Sequence, residues 1–450
     1  MTSFLSALSI LTSMANMTSV SNIPPLHSGA HMQPSSVSED TPQALSSSAA
    51  PIPWHAIIAG LCATLVGIGL ARFAYTPLIP PLIENHWFAT SAIIVLSAAN
   101  LAGYFIGALL GRPLARRLTN RHTLRLMMVL VTLSFAGCAV PFSTLWFFAW
   151  RFVSGLAGGA IMVLVASTVL PHIPGTRKGL ASGAIFFGLG LGIAASGTLV
   201  PLLLDMGLRV TWLGLSLFCA LLTAVSWTGW PTAAAPVSSA PGHASAPRPH
   251  RHALFLRMTY AQFGLMAIGL VPLMVFLVDF VARDLGMGAH VGALYWIVYG
   301  VGALIGPMLY GAIADWMGPT RGIRLVLVIQ ALVVGLLYTA HDGLMIAALT
   351  LVIGTFPPGI VPLVLARIHE LLPHDPSAQG AAWSRATTAF ALLQAVSGYG
   401  YSLLFNGSGG NHRLLFLIGT GALLLALLLE LLVRAFASSK KHPNRPIEVA

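Results

Sequence analysis

Twelve apolar segments, each about 19–30 residues long, recur between residues 54 and 436. They lie roughly at 54–78, 90–111, 123–142, 144–171, 178–204, 208–230, 254–281, 290–314, 322–340, 343–372, 379–405 and 412–436. A helix needs about 20 residues to cross the hydrocarbon core of a bilayer. Lipid tolerates only backbone that satisfies its own hydrogen bonds. The pattern predicts an all-α membrane protein with twelve transmembrane helices. Composition agrees, because the chain is 56% hydrophobic and only 8% charged, against about 25% charged for a soluble domain. A soluble enzyme, a disordered chain and a disulfide scaffold are all disfavoured. Cys62, Cys138 and Cys219 sit inside apolar runs, the placement of small core residues rather than of metal ligands or disulfides.

The net charge of +11 reads differently in a membrane chain. The basic residues lie in short loops, so they point to membrane lipids and to insertion, with no nucleic acid partner. Lys and Arg concentrate after even-numbered helices: Arg112, Arg116, Arg117, Arg121 and Arg125 after the second, Arg177 and Lys178 after the fourth, Arg321 and Arg324 after the eighth. The opposite side has only Arg209, Arg283 and Arg413. Both termini are therefore expected in the cytoplasm. Seven tryptophans (54, 87, 146, 212, 227, 230 and 316) fall near predicted helix ends, as an aromatic belt would.

Residues 1–52 are rich in Ser, Thr, Ala and Pro, contain no Lys or Arg, and read as a disordered leader. An upstream start codon is the alternative. The stretch 231–252 reads as a cytoplasmic linker between six-helix bundles at 53–230 and 253–437, with a tail at 438–450. The halves repeat at an offset near 200. Gly111-Arg-Pro-Leu-Ala115 aligns with Gly311-Ala-Ile-Ala-Asp315, Arg121 with Arg321, and Val169-Leu-Pro-His172 with Leu371-Leu-Pro-His374. Two six-helix pseudo-repeats are a transporter architecture, in which the halves rock about a site near the bilayer midplane.

The run Gly311-x-x-x-Asp315-x-x-Gly318-x-x-Arg321 resembles the loop signature of the major facilitator superfamily. The copy after the second helix keeps Gly111 and Arg116 but has Ala115 where the acid is expected. Arg151-Phe-Val-Ser-Gly155-Leu-Ala-Gly158-Gly159-Ala160 resembles that superfamily's fourth-helix motif. The first-helix run Gly67-Ile-Gly69-Leu-Ala-Arg72-Phe-Ala-Tyr75-Thr76-Pro77-Leu-Ile-Pro80 is similar to the signature of the YbfB/YjiJ branch. The resemblance implies the major facilitator fold, an inner-membrane carrier acting as a monomer on a small-molecule substrate, and a loop that latches one conformation. Gly111, Arg116, Gly311, Asp315, Gly318 and Arg321 are the latch candidates it implies. Pro357-Pro358-Gly359 in the tenth helix predicts a kink or gate, because prolines free backbone carbonyls.

Charges inside a bilayer are costly and are functional candidates by default. Glu430 stands four residues before Arg434, and Asp279 four before Arg283. Both read as helix-surface pairs, with snorkelling side chains. Arg367 and Glu370 fall at the inner end of the tenth helix. Arg72, Arg151 and Arg385 remain. Arg72 is six residues from the outer end of the first helix and Arg151 seven from that of the fourth, so both lie about 9–10 Å deep at 1.5 Å per residue. The resemblance implies that the first and fourth helices line the central cavity. Two arginines with no acid at matching depth make a positive wall suited to a carboxylate or phosphate. The alternative is that each binds backbone carbonyls and fixes a helix contact. Tyr75, Tyr260, Gln262, Tyr295 and Gln394 are the polar candidates to complete a substrate site, alongside Asn100, Tyr104 and Tyr299.

No nucleotide-binding loop is present, so transport would draw on a gradient. The expected function is a secondary transporter for a small solute, in the form of a proton-coupled organic-anion or metabolite carrier. The alternatives are a multidrug-type proton antiporter and a transporter-like sensor without flux. Asp279 and Arg385 are the coupling candidates. The fifteen histidines are scattered, so neither catalytic residues, nor a metal site, nor a cofactor is expected.

Overall fold

In the computed structural model, residues 53–173, 177–232, 250–373 and 375–439 are described. The leader, most of the linker and the tail lie outside the described residues. Twelve long helices form as the apolar spacing demands. A first helix α1 (Trp54–Leu78) is broken and is followed by a short helical piece, Ile79–Glu84. The rest of the first half is α2 (Thr90–Leu118), α3 (Asn120–Cys138), α4 (Thr144–Val169), α5 (Lys178–Leu204) and α6 (Leu208–Ser226). The second half is α7 (His250–Asp279), α8 (Gly288–Met317), α9 (Pro319–Leu336), α10 (Gly343–Leu371), α11 (Pro376–Gly407) and α12 (His412–Ser439). No strand occurs among the described residues, and nine of the helices there are long and apolar enough to cross a membrane. All belong to one compact unit, Ala50–Ala450. Leu217, Leu332 and Leu403 point outward, each more than 60% exposed. That is the surface a bilayer covers and water would not tolerate.

The short joins end on real caps. The Ser143 hydroxyl accepts from the Trp146 N–H at 3.1 Å to start α4, and the Asp342 carboxylate from the Met345 N–H at 2.8 Å to start α10. Such caps satisfy otherwise orphaned helix donors.

The internal repeat is visible in the backbone. Thr119, between α2 and α3, has φ 73 and ψ 155, and Gly318, between α8 and α9, has φ 81 and ψ 151. The helices behind these turns pack by the same device in both halves. A Cβ added at Gly103 or Gly107 would fall 2.0 or 1.9 Å from the carbonyl oxygen of Phe152 or Leu156 on α4. The equivalent atoms at Gly302 and Gly306 would fall 2.1 Å from those of Leu351 and Thr355 on α10. Small residues let two backbones touch where no side chain would fit. In α5, a Cβ at Gly190 would fall 2.2 Å from the Ala303 carbonyl of α8, so this glycine-rich helix joins the halves.

Three expectations need correction. Glu430 is not a surface residue: it is 1% exposed and pairs with Arg367 at 2.7 Å and Arg324 at 3.6 Å. Its face of α12 packs on α7 and α9 rather than on lipid. The Pro357-Pro358-Gly359 stretch does not break α10, which is helical from Gly343 to Leu371. The close α8 backbone holds it, since a Cβ at Gly354 would lie 2.2 Å from the Tyr299 carbonyl. Of the belt tryptophans, Trp212 and Trp230 are buried, at 1% and 3% exposure. Trp212 packs against Phe135 and Phe147, with ring centroids 5.9 and 5.3 Å away.

Candidate functional site

Helix α1 is irregular. It is α-helical over Trp54–Thr64, widens to a π-helix over Leu65–Leu70, resumes for Ala71–Phe73 and tightens to a 3-10 turn at Thr76–Leu78. Its sequence explains this. Pro77 has no N–H to continue the ladder. Gly69 meets Gly192 of α5 so closely that a Cβ on it would lie 2.6 Å from the Gly192 Cα. π-turns inside helices recur at functional sites, and irregular backbone at membrane depth persists where it is buried or lines a cavity.

The break leaves the Ala71 carbonyl free to accept from α2 and α4. Arg151 Nη1 donates to it at 2.8 Å and Asn100 Nδ2 at 3.4 Å. Asn100 Nδ2 also donates to the Arg151 carbonyl at 3.4 Å and to Ser154 Oγ at 2.9 Å, and Ser154 Oγ donates back to the Arg151 carbonyl at 2.8 Å. The Arg151 guanidinium stands 4.4 Å from the Tyr75 ring centre. The next residue after Ala71 is Arg72. Its Nη1 donates to Gln394 Oε1 on α11 at 2.8 Å, and its guanidinium lies 5.5 Å from the Tyr104 ring. Such cation–ring contacts are stabilising within about 6 Å. Among the described residues, no carboxylate forms an ion pair with either arginine. The partners of the two guanidiniums are carbonyl and amide dipoles and aromatic rings.

Arg72 and Arg151 line one cavity of about 40 Å³, with Tyr75, Ser97 and Asn100 on one side and Val271, Met274 and Val275 of α7 on the other. A space of this size holds about three water molecules.

The remaining sequence candidates distribute as follows. Gln394 joins the site through Arg72. Gln262 does not: its Oε1 accepts from Arg367 at 3.2 Å and its amide donates to the Ala426 carbonyl at 3.2 Å, inside the second half. Tyr295 donates to the Gly343 carbonyl at 2.7 Å, at the less basic end. Tyr260 and Arg385 line a second cavity of about 240 Å³ at the basic end, with Asp375 and Ser377. Asp279 pairs with Arg283, as its spacing predicts, and also with His412 at 2.7 Å. His412 is 4% exposed in its side chain, 3.5 Å from Asp284 and edge-on to Phe405 at 4.7 Å.

Of the latch residues, Asp315 lies by the first turn of α5, where its carboxylate would be 3.3–3.4 Å from a Cβ on Gly179. A carboxylate is favourable at a helix N-terminus. Arg116 and Arg321 are exposed, Gly318 forms the positive-φ turn, Gly111 packs on Ala160, and Gly311 has open space. Pro357 and Pro358 are buried against α8. Ser154 and Ser97 escape sequence reasoning, because a hydroxyl in an apolar helix usually bonds its own turn. Only the three-dimensional crossing of α2, α1 and α4 reveals their use.

Comparison with known proteins places this architecture. A solved structure of the major facilitator proton:xylose symporter XylE, bound to 6-bromo-6-deoxy-D-glucose, superposes with a TM-score of 0.64 at 16% identity. The match covers 84% of this chain and 94% of that one. The inner membrane metabolite transport protein YdjE of Escherichia coli (strain K12) is 24% identical over 124 residues, which is 28% of this chain. That alignment spans 27% of the relative's length. A family model described as "Uncharacterised MFS-type transporter YbfB" matches residues 64–431, from just before the π-helical stretch of α1 through to α12. With that span covering the site and nearly every helix, the chain belongs to the YbfB family of major facilitator transporters.

Proposed function

We propose that this protein is a secondary active transporter of the cytoplasmic membrane that moves a small organic anion by alternating access. The observation that carries the reading is a pair of arginines at membrane depth, the buried Arg151 and the half-buried Arg72, on one cavity and, among the described residues, without an ion-paired carboxylate. Removing a charge from water is costly unless it is compensated, and an anionic substrate supplies the compensation. Arg72 also touches Gln394 of the second half, so the contact must change when the halves move. The Lys and Arg distribution supports a cytoplasmic location for the basic end and both termini. The YdjE name supports an inner-membrane metabolite carrier. In this proposal protons drive the cycle through the pair formed by the half-buried Asp279 and the buried His412, which joins α7 to α12 at the less basic end.

Flux in proteoliposomes tests the reading. Screening organic anions for stabilisation identifies a substrate class by mass action. Counterflow of that class separates a carrier from a sensor. Arg72→Ala and Arg151→Ala are expected to abolish flux; intact expression together with intact uptake in both variants refutes the anion site. Flux that survives a collapsed proton gradient refutes the coupling.

A further inference from the structure

The atoms left unpartnered around Arg151 describe the ligand more closely than charge alone. Asn100 is 2% exposed and lines the cavity. Its amide orientation is fixed, because Nδ2 faces three acceptors: the Ala71 carbonyl, the Arg151 carbonyl and Ser154 Oγ. Ser154 already spends its own proton on the Arg151 carbonyl. Asn100 Oδ1 is therefore committed as an acceptor, and it is buried without a donor. Arg151 Nε is its complement, a buried donor without an acceptor.

We propose that the site selects short hydroxycarboxylates: the carboxylate takes the free donors, and a hydroxyl on a neighbouring carbon donates to Asn100 Oδ1. This rests on the anion reading above and refines it. A plain carboxylate carries acceptors only, so it would bury Asn100 Oδ1 unsatisfied, and sites with a committed polar group discriminate strongly against ligands that lack its partner. An amino acid offers a donor, but its ammonium would stand beside two uncompensated guanidiniums, and like charges disfavour it. The opposing wall of Val271, Met274 and Val275 has no side-chain nitrogen or oxygen and takes the aliphatic remainder. The small volume favours a short chain.

The test compares lactate, propionate and alanine as stabilisers of the purified full-length protein, read as melting temperature against ligand concentration. Lactate is expected to act at a concentration at least about tenfold lower than propionate, and alanine to be weaker than lactate. The lactate effect should vanish in Arg72→Ala and Arg151→Ala. Asn100→Leu should equalise lactate and propionate; the wild-type comparison stands even if that variant does not fold. Equal action of lactate and propionate on the wild type overturns the inference and leaves the anion reading in place, with a water on Asn100 Oδ1. Alanine matching lactate also overturns it. No stabilisation by any carboxylate overturns both, as does a lactate effect that persists in both arginine variants.

Discussion

Replacing Glu430 with glutamine removes the acid that two arginines share inside the second half. Arg367 lies 2.7 Å from it and Arg324 3.6 Å. With an effective dielectric constant near 20, the gross attractions are about 6 and about 5 kcal/mol. Part of this only offsets the desolvation of three charges. The net cost of stripping one partner from a buried pair is about 3–5 kcal/mol, or roughly a hundredfold to several thousandfold in the folding equilibrium. Geometry then sets an order. Glu430→Gln leaves both guanidiniums uncompensated. Arg367→Met leaves Glu430 with Arg324 and takes a donor from Gln262. Arg324→Met removes the longer contact, from a side chain 26% exposed. The loss should fall from Glu430→Gln through Arg367→Met to Arg324→Met. Replacing all three with Leu, Met and Met should recover most of it, because apolar packing substitutes well for buried ion pairs. Unfolding of the purified protein in mixed micelles by added SDS, followed by far-ultraviolet circular dichroism, reads these differences. A Glu430→Gln protein as stable as wild type, or an Arg324→Met protein less stable than it, refutes the reasoning.

Three further outcomes are expected. Gly107→Ala should cost about 1–3 kcal/mol by forcing α2 from α4, because its new Cβ would fall 1.9 Å from a carbonyl oxygen; Gly311→Ala, which meets no atom within 4 Å, should cost nothing, and equal melting losses for the two would contradict the packing argument. Thr119→Gly should raise the melting temperature, since φ 73 with ψ 155 strains a β-branched residue by about 1–3 kcal/mol, more than the long 3.4 Å cap to the His122 N–H returns; a lower melting temperature counts against it. Gln394→Leu should loosen the Arg72 contact between the halves and speed thiol labelling of a cysteine placed at Met274, over a low background because Cys62, Cys138 and Cys219 are buried; unchanged labelling would show that other contacts hold the site shut.

The twelve spans and their two-fold repetition were legible because the bilayer imposes one length on every crossing. Arg72 and Arg151 were legible for a related reason: depth is a linear count along a helix, and both counts converge. Facing is not a linear count. Gln262 and Gln394 look alike in sequence, yet one turns into the Arg367–Glu430 network and the other meets Arg72. The choice depends on how α7 and α11 are rotated against their neighbours. Glu430 misleads because a partner four residues away describes a lone helix, while three other helices determine its surroundings. Around Pro357 and Pro358 the tenth helix runs uninterrupted from Gly343 to Leu371, with the α8 backbone close beside it at Gly354.

The π-turn at Leu65–Leu70 makes the site depend on the number of residues in α1 as much as on their identity. Such a turn accommodates one residue more than an α-helical path needs. Deleting any single residue from it would let the helix close into a regular coil, an arrangement local energetics favour. Everything beyond the turn would then shift by about 100° around the axis and 1.5 Å along it. Arg72 and Tyr75 would swing away from Arg151 with no side chain of the cavity altered. A change of reading frame in space, invisible to any inventory of conserved side chains, would erase the positive wall and leave a well-folded helix in its place.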